Sequence, residues 1–401
     1  MPHQRKRYAQ TQVQKALAYS PIVGIIGQRQ VGKTTLLERC TKIYTTLDRE
    51  SSLLEAEANP ELFLRYQATP FAIDEAQLCP RLFPALKERV RTHKKPGQYL
   101  LSGSVRFTSR EAIRESLTGR IISVELLPFT ISEIYNRELT HTLETLLKIK
   151  KPLALEKWAE QSYKNCSENT FNYYLQTGGL PGICFFRETS IRIAKFENHI
   201  NTLLNRDLRL VSKTNLPYTS LRALLEYLSK NQGNPFALKA ASDFSQISPI
   251  SIKKILYAYE ALFLIRPVLS IPGGEKKITY FFEDQGFATW INNDKNNPAY
   301  DIMRGLYANL RQEYFYKPKI NGKIQTYRTK NGVHVPLVFS SNAGILGVIS
   351  SVDSYPAPKI LAGAQAFLKK YPHAKVIIAT RGKETVFKTE QIFLIPYYFL
   401  V

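Results

Sequence analysis

Between residues 21 and 35 the chain reads PIVGIIGQRQVGKTT, and no other stretch restricts the possible folds as much. Pro21 opens an apolar run, Ile22 to Ile26, that suits a buried parallel strand. Gly27, Gln28, Arg29, Gln30, Val31, Gly32, Lys33 and Thr34 then fit the pattern G-x-x-x-x-G-K-[ST]. With Thr35 they make a loop whose backbone amides cradle phosphates at a helix N-terminus. In that pattern Lys33 carries its ammonium to the β- and γ-phosphates, and Thr34 offers a hydroxyl to Mg2+. Leu36 and Leu37 begin the apolar face of the helix that follows. The loop calls for Mg2+ and a triphosphate, ATP, on an α/β sheet.

A second phosphate-site element follows at Pro70-Phe71-Ala72-Ile73-Asp74-Glu75, an apolar strand ending in two carboxylates. In a doubly wound sheet the carboxyl ends of the strands line one crevice, so the pair belongs beside the loop. Asp74 is then the residue that holds the Mg2+ hydration shell, and Glu75 the one that orients or deprotonates the attacking water. The strand Gln98 to Leu101 runs into Ser102-Gly103-Ser104. Ser102, at a strand end next to the acidic pair, is placed to sense the γ-phosphate, although serines in such positions also serve as plain turn residues. Arg120, between Glu115-Ser116-Leu117-Thr118-Gly119 and the apolar strand Ile121 to Leu126, suits a guanidinium that reaches a γ-phosphate in its own or a neighbouring subunit. An ordinary surface ion pair suits it equally, and Arg106 and Arg206 compete for the role.

At 401 residues the chain has room for two or three domains. Its charge is the unusual figure: 55 Lys and Arg against 33 Asp and Glu, a formal net charge of +22. Such a surplus favours a polyanionic partner, DNA, RNA, anionic lipid or an acidic protein, and attracts nucleotides too, or else forms a solvated basic surface. The basic residues are scattered, with short clusters such as Arg5-Lys6-Arg7 and Lys148-Ile149-Lys150-Lys151. Cys40, Cys79, Cys166 and Cys184 have neither zinc-site nor disulfide spacing. No run is long and apolar enough to span a membrane, and no apolar signal core follows the basic start, so a reducing cytoplasm and no membrane partner are expected.

The quoted motifs, together with TTLDRE ahead of NPELFL, LLSGS, ESLTGRI and LLPFTISEI, resemble in order and spacing the prokaryotic AAA-type ATPases whose back half is a domain of unknown function. The resemblance continues through Gly178-Gly179-Leu180-Pro181, Asn205-Arg206-Asp207-Leu208, Tyr280 to Gly286 and Phe393-Leu394-Ile395-Pro396. It implies ATP binding and hydrolysis on a RecA-like or AAA-like sheet, with oligomers in which a neighbour's arginine completes the site.

The back half divides by pattern. Trp158 to Leu210 reads as helical, broken at Gly178 to Gly182. Three helices (Thr219 to Leu228, Ala237 to Phe244, Pro249 to Leu264) and a hairpin around Pro272-Gly273-Gly274 give a winged-helix unit. Ser248, Ser251, Lys253 and Lys254 of its third helix and the wing residues Lys276 and Lys277 are candidates for DNA contact. The last hundred residues read as strands at 313–317, 324–329, 333–339, 345–350, 375–379 and 392–399 with a helix at 358–370. That order resembles a PD-(D/E)XK (restriction-endonuclease) core. The places where that core carries its metal-binding acids hold Pro336, Gly347, Ile349 and, on an upstream helix, Arg304 or Gly305, with Asp353 as the nearest carboxylate, so a nuclease-like scaffold without nuclease activity is expected. The expected domains are 1–150 (P-loop ATPase), 151–215 (helical lid), 216–290 (winged helix) and 291–401 (nuclease-like α/β).

Overall fold

The computed structural model describes residues 5–107, 119–163, 166–292, 298–317 and 321–401. The front sheet holds β1 (Ile22–Ile26), β2 (Ile43–Thr46), β3 (Phe71–Asp74), β4 (Tyr99–Gly103) and β5 (Ile121–Glu125), all parallel, in the order β2-β3-β4-β1-β5. β4 is thus inserted between the strand that leads into the glycine loop and the strand that ends in the acidic pair. Val23 and Ile25 on one face and Ile22 on the other enter separate apolar cores, as the two-residue period of a strand requires. Burying each such side chain stabilises the sheet by about 1.5–3 kcal/mol.

Tyr8–Leu17 is a helix that the sequence reading passes over. Ala9, Val13 and Ala16 repeat at helical spacing and are buried in the core that contains Val23, Leu36 and Leu100. Arg7, just before it, is buried instead of joining a basic surface: Nη1 donates to the Val31 carbonyl at 3.0 Å, Nη2 to the Leu127 carbonyl, and Nε to Glu133 at 3.2 Å.

Behind the sheet come helices Pro152–Tyr163, Glu168–Thr177 and Thr189–Thr202, the last running through a π-turn (Leu203–Asp207) into Leu208–Val211. Three further helices, Tyr218–Lys230, Leu238–Ser245 and Pro249–Ala261, precede the antiparallel pair β6 (Ile265–Val268) and β7 (Thr279–Phe282). The turn of this hairpin is occupied. Ile271 donates to the Thr326 carbonyl (2.8 Å), Glu275 to the Arg328 carbonyl (2.8 Å), and the Tyr371 hydroxyl to the Pro272 carbonyl.

The C-terminal sheet has β8 (Lys323–Arg328), β9 (His334–Ser341), β10 (Gly344–Ser350), β11 (Lys375–Thr380), β12 (Val386–Thr389) and β13 (Ile392–Pro396) in the order β12-β13-β11-β10-β9-β8. Helix Pro358–Lys370 crosses from β10 to its parallel neighbour β11. Residues 313–317, expected as a strand, lie instead at and just beyond the end of helix Pro298–Phe315, in which every residue from Ile302 to Tyr314 is buried. The expected helix at Arg304 and Gly305 thus runs on to Phe315, and one enclosed on all sides loses the amphipathic period that would mark its end. Likewise β13 stops at Pro396 and a tight turn, Tyr397–Leu400, replaces its expected continuation. The cores do not follow the expected boundaries either: Leu143, Leu146, Leu155 and Phe171 share one apolar cluster with Leu306, Phe339, Leu346 and Ile377.

Glu313 sets up a pH effect. Its carboxylate accepts from Thr140 Oγ1 (3.0 Å) and the amides of Thr142 (2.9 Å) and Leu143 (3.1 Å), yet burial raises its pKa to about 7 from an ordinary 4.5. The folded chain then binds more protons than the unfolded chain between pH 4.5 and 7, so this group's contribution to stability falls as pH rises through that window. Glu313→Gln should flatten the dependence: in urea unfolding at pH 5 and pH 7, the parent loses about 2 kcal/mol more than the variant.

Candidate nucleotide site

The glycine loop turns where only glycine is comfortable. Gly27 passes so close to β5 that a Cβ there would stand 2.4 Å from the Leu126 carbonyl oxygen, and Gly32 enters the helix at φ +97°. The Gly27 amide donates to the Gly103 carbonyl (3.2 Å) and the Leu126 amide to the Ile26 carbonyl (2.7 Å), which fixes the loop to strands on both sides. Lys33 and Thr34 then open helix Lys33–Cys40.

At the carboxyl edge the expected groups converge. Thr34 Oγ1 donates to Asp74 Oδ2 at 2.6 Å, the Tyr44 hydroxyl donates to the same oxygen at 3.0 Å, and the Ser102 hydroxyl donates to Asp74 Oδ1. Ser102 Oγ also accepts from the Glu75 amide at 3.0 Å, so this serine braces both acids from the neighbouring strand. Glu75 stands at φ +54°, a left-handed conformation that turns its carboxylate out of the strand. Gln77 Nε2 and Ser104 Oγ (3.0 Å) donate to Glu75 Oε2.

Electrostatics tie these groups together. Burial lowers the pKa of Lys33 against the opposing pull of Glu75 and Asp74, and its ammonium donates to the carbonyls of Gly27 and Gln28, both at 3.1 Å. Burial pushes Glu75 up, but Lys33, the Gln77 and Ser104 hydrogen bonds and Arg29 outweigh it and hold the carboxyl below its ordinary value. Glu75 is therefore an anion at neutral pH. The donor set suits a triphosphate with a hard divalent cation: a glycine loop at a helix N-terminus, a buried ammonium held by two carbonyls of its own loop, and a hydroxyl and carboxylate side by side.

The helical segment lies over the loop. A Cβ on Gly32 would stand 3.6 Å from Pro181, and one on Gly182 3.7 Å from Gln30. Gln28 Nε2 lies 3.4 Å from His199 Nε2, and Arg29 Nη1 lies 3.7 Å from Asp207 Oδ2. Burial lowers the pKa of His199 to about 3, with Arg29 and Lys33 adding to the effect, so it is neutral and pairs with Gln28 as an uncharged ring. Burial raises the pKa of Asp207 despite its bond from Arg206 Nε at 3.0 Å. Arg206 itself is half-exposed and also faces Asp48 at 4.0 Å.

Arg120 falls elsewhere. It precedes β5, whose Ile121 pairs with Ile22 at the start of β1, so it stands at the amino edge of the sheet, about 20 Å from the loop. No arginine side chain spans that distance, and contact with a phosphate in its own subunit is excluded. Residues 115–118 of the expected motif lie outside the described residues. Arg106 follows β4 at the carboxyl edge, where it is already engaged, donating to Glu125 Oε2 and the Glu260 carbonyl, both at 3.2 Å.

Comparison with known proteins agrees with the geometry. Residues 19–135 match the AAA domain family. Residues 168–295 match a separate family described as a domain of unknown function, DUF8612. Two curated relatives, the uncharacterized proteins Rv2008c of Mycobacterium tuberculosis and Mb2031c of Mycobacterium bovis, are each 35% identical over 132 residues. The shared stretch is 32% of this chain and 30% of theirs, so the chain spans under a third of those relatives' length. Among solved structures, similarity extends to the Walker-type ATPase PABY2304 of Pyrococcus abyssi (14% identity, TM-score 0.39, 71% of this chain and 94% of that one). It extends also to the AMPPCP-bound DnaA of Aquifex aeolicus (15% identity, TM-score 0.24, 62% and 85%). The segment that matches the AAA domain family holds the glycine loop, both acids and Ser102, while His199 and Asp207, which lie over the loop, fall in the segment that matches DUF8612.

Sequence reasoning overlooked Arg7, His199 and Asp284. Asp284 accepts from the amides of Gly179 (2.7 Å) and Phe287 (2.8 Å), which anchors the Gly178 to Gly182 turn over the loop. The run Tyr280 to Gly286 stood out in the sequence without revealing this role. Among the described residues there is no cluster of three or more His, Cys, Asp or Glu side chains placed to hold a metal, and no helix long and apolar enough to cross a membrane.

Proposed function

We propose that the protein is an Mg2+-dependent ATP hydrolase whose nucleotide state is passed to a basic back half that binds a partner. The observation that carries this is the Thr34, Asp74 and Glu75 cluster beside a buried Lys33 on a glycine loop. Thr34 and Asp74 would hold Mg2+, which when bound neutralises phosphate charge. Lys33 and amides of the glycine loop other than those of Gly27 and Val31, which bond within the protein, bind and orient the triphosphate. Ser102 keeps Asp74 and Glu75 in place, and Glu75 holds the attacking water and accepts its proton. The water oxygen bonds to the γ-phosphorus, the bond to the β–γ bridging oxygen breaks, and ADP and inorganic phosphate leave. Arg120, at the far sheet edge, acts only if a neighbouring subunit presents it in an oligomer. The test is release of phosphate from ATP by the purified chain with and without Mg2+, argued with its variants below.

A second reading is that nucleotide gates DNA or RNA binding, with hydrolysis incidental. It is favoured by the third helix of the winged-helix-like unit, where Ile250, Lys253, Lys254 and Tyr257 form one exposed face at helical spacing. In the hairpin, the turn from Ile271 to Glu275 is engaged by residues 326, 328 and 371, while the wing residues Lys276 and Lys277 stay exposed. Lys253→Glu/Lys254→Glu should weaken binding to a fluorescent duplex at least about tenfold and flatten its salt dependence by about two counterions. The same duplex incubated with Mg2+ should stay intact, because the nuclease-like sheet carries Pro336, Gly347 and Ile349 where metal-binding acids would be needed. Binding indifferent to those two lysines would remove the second reading.

A further inference from the structure

Between the glycine loop and the lid lie polar atoms that satisfy nothing. Gln28 Oε1, His199 Nδ1 and Asp207 Oδ2 belong to side chains almost wholly buried, and none has a hydrogen-bond partner; neither has Arg29 Nη1. Arg29 Nη1 and Asp207 Oδ2 face each other across 3.7 Å, too far for a hydrogen bond and close enough for strong attraction. A buried donor and acceptor left apart in this way are costly unless something else completes them.

The guanidinium of Arg29 is also close enough to the site to affect it: it lowers the proton affinity of Lys33 and of Glu75. Gln30, left-handed at φ +65°, turns the chain directly after it, so the side chain leaves the loop between two backbone reversals. Arg206 is the rival arginine, but it is half-exposed and its charge is already met by Asp207 Oδ1 at 3.0 Å and by Asp48.

We propose that Arg29 is the phosphate-contacting arginine of this site, acting within its own subunit, and that Asp207 is a lid-borne positioning residue that holds Arg29 until a γ-phosphate competes for it. As the new bond from water to the γ-phosphorus forms and the bond to the bridging oxygen breaks, negative charge moves onto the oxygen that leaves with ADP, while one water proton passes to Glu75. A guanidinium with an unused N–H is suited to take that charge. ADP lacks the competing group, so Arg29 returns to Asp207 and the lid is again tied to the loop. The proposal rests on this site being the hydrolytic one.

The experiment compares the parent, Arg29→Ala, Arg29→Lys, Arg206→Ala and Asp207→Asn, all in the full chain, by steady-state phosphate release and by titration with fluorescent ADP and ATP. Arg29→Ala should lower turnover at least about 100-fold, with ADP affinity changed less than about threefold. Arg29→Lys should recover little, and added guanidinium ion should restore part of the Arg29→Ala rate. Parent turnover per molecule should not depend on protein concentration, as a cis arginine requires. Asp207→Asn should raise ATP affinity relative to ADP about fivefold, and that gain should vanish when Arg29 is already alanine. A purely structural Asp207 would lower melting temperature and leave the ratio alone. An active parent with Arg29→Ala turning over within about threefold of it, or an Asp207→Asn effect that persists without Arg29, overturns the proposal while the hydrolase reading stands. A parent that neither binds nor hydrolyses ATP overturns both.

Discussion

Lys33→Ala should abolish ATP turnover and weaken ATP binding at least about 100-fold, close to 3 kcal/mol. The size follows from what the ammonium does: it is buried, and its bonds in the loop are to two neutral carbonyls, so a triphosphate offers it far better partners. Folding should hardly suffer. A buried cation with a lowered pKa is a poor source of stability, so the variant's melting temperature without nucleotide should equal or exceed the parent's. What disappears is the increment ATP adds, which for the parent is about 2.7 kcal/mol at 100 times Kd. Glu75→Gln should behave in the opposite way, binding ATP with an affinity near the parent's while turnover falls about 100- to 1000-fold. Scanning calorimetry with and without Mg-ATP, paired with phosphate release, separates the two variants. An ATP-induced shift that survives in Lys33→Ala would mean the loop does not hold the phosphates.

Much of this site was legible because its parts are local. A glycine loop between an apolar strand and an amphipathic helix declares itself in fifteen residues, and a strand ending in Asp74-Glu75 does so in six. The own-subunit alternative for Arg120 could have been dropped from the sequence: a residue preceding a strand parallel to β1 falls at the edge away from the loop. His199 and Asp207 were beyond reach for a different reason. Each meets the loop from about 170 residues away in the chain, and no pattern in sequence encodes that meeting. A helix carrying Arg304 and Gly305 was expected, and only its end at 313–317 was read as a strand, since Tyr314, Phe315 and Tyr316 favour strands in isolation and tertiary burial overrides them.

Glu283→Ala should cost about 3–5 kcal/mol, the largest loss of stability expected from any single substitution in the back half. Burial alone pushes the Glu283 carboxyl up, but Arg266 and Arg311 beside it hold it below its ordinary value, with Arg266 Nε at 2.7 Å and Arg311 Nη1 on the other oxygen. Arg311 is itself enclosed, and its Nη2 donates to the Glu283 carbonyl at 2.7 Å. Deleting the carboxylate strips the enclosed Arg311 of its ion-pair partner and leaves Arg266 to Glu125, whereas removing charges together, as in Glu283→Leu/Arg311→Leu, should recover a large part of the loss. The effect should reach the nucleotide. Arg266 also donates to Glu125 at the end of β5, and the next two residues hold the loop strand and the back half together, Leu126 through the Ile26 carbonyl and Leu127 through the Tyr316 hydroxyl at 3.0 Å. Glu283→Ala should therefore weaken ATP binding several-fold under conditions where it remains folded, followed by urea unfolding with Trp290 as the probe. Stability within about 1 kcal/mol of the parent would mean that the charges are screened by water, and the link from β5 to the back half would have to run through apolar packing alone.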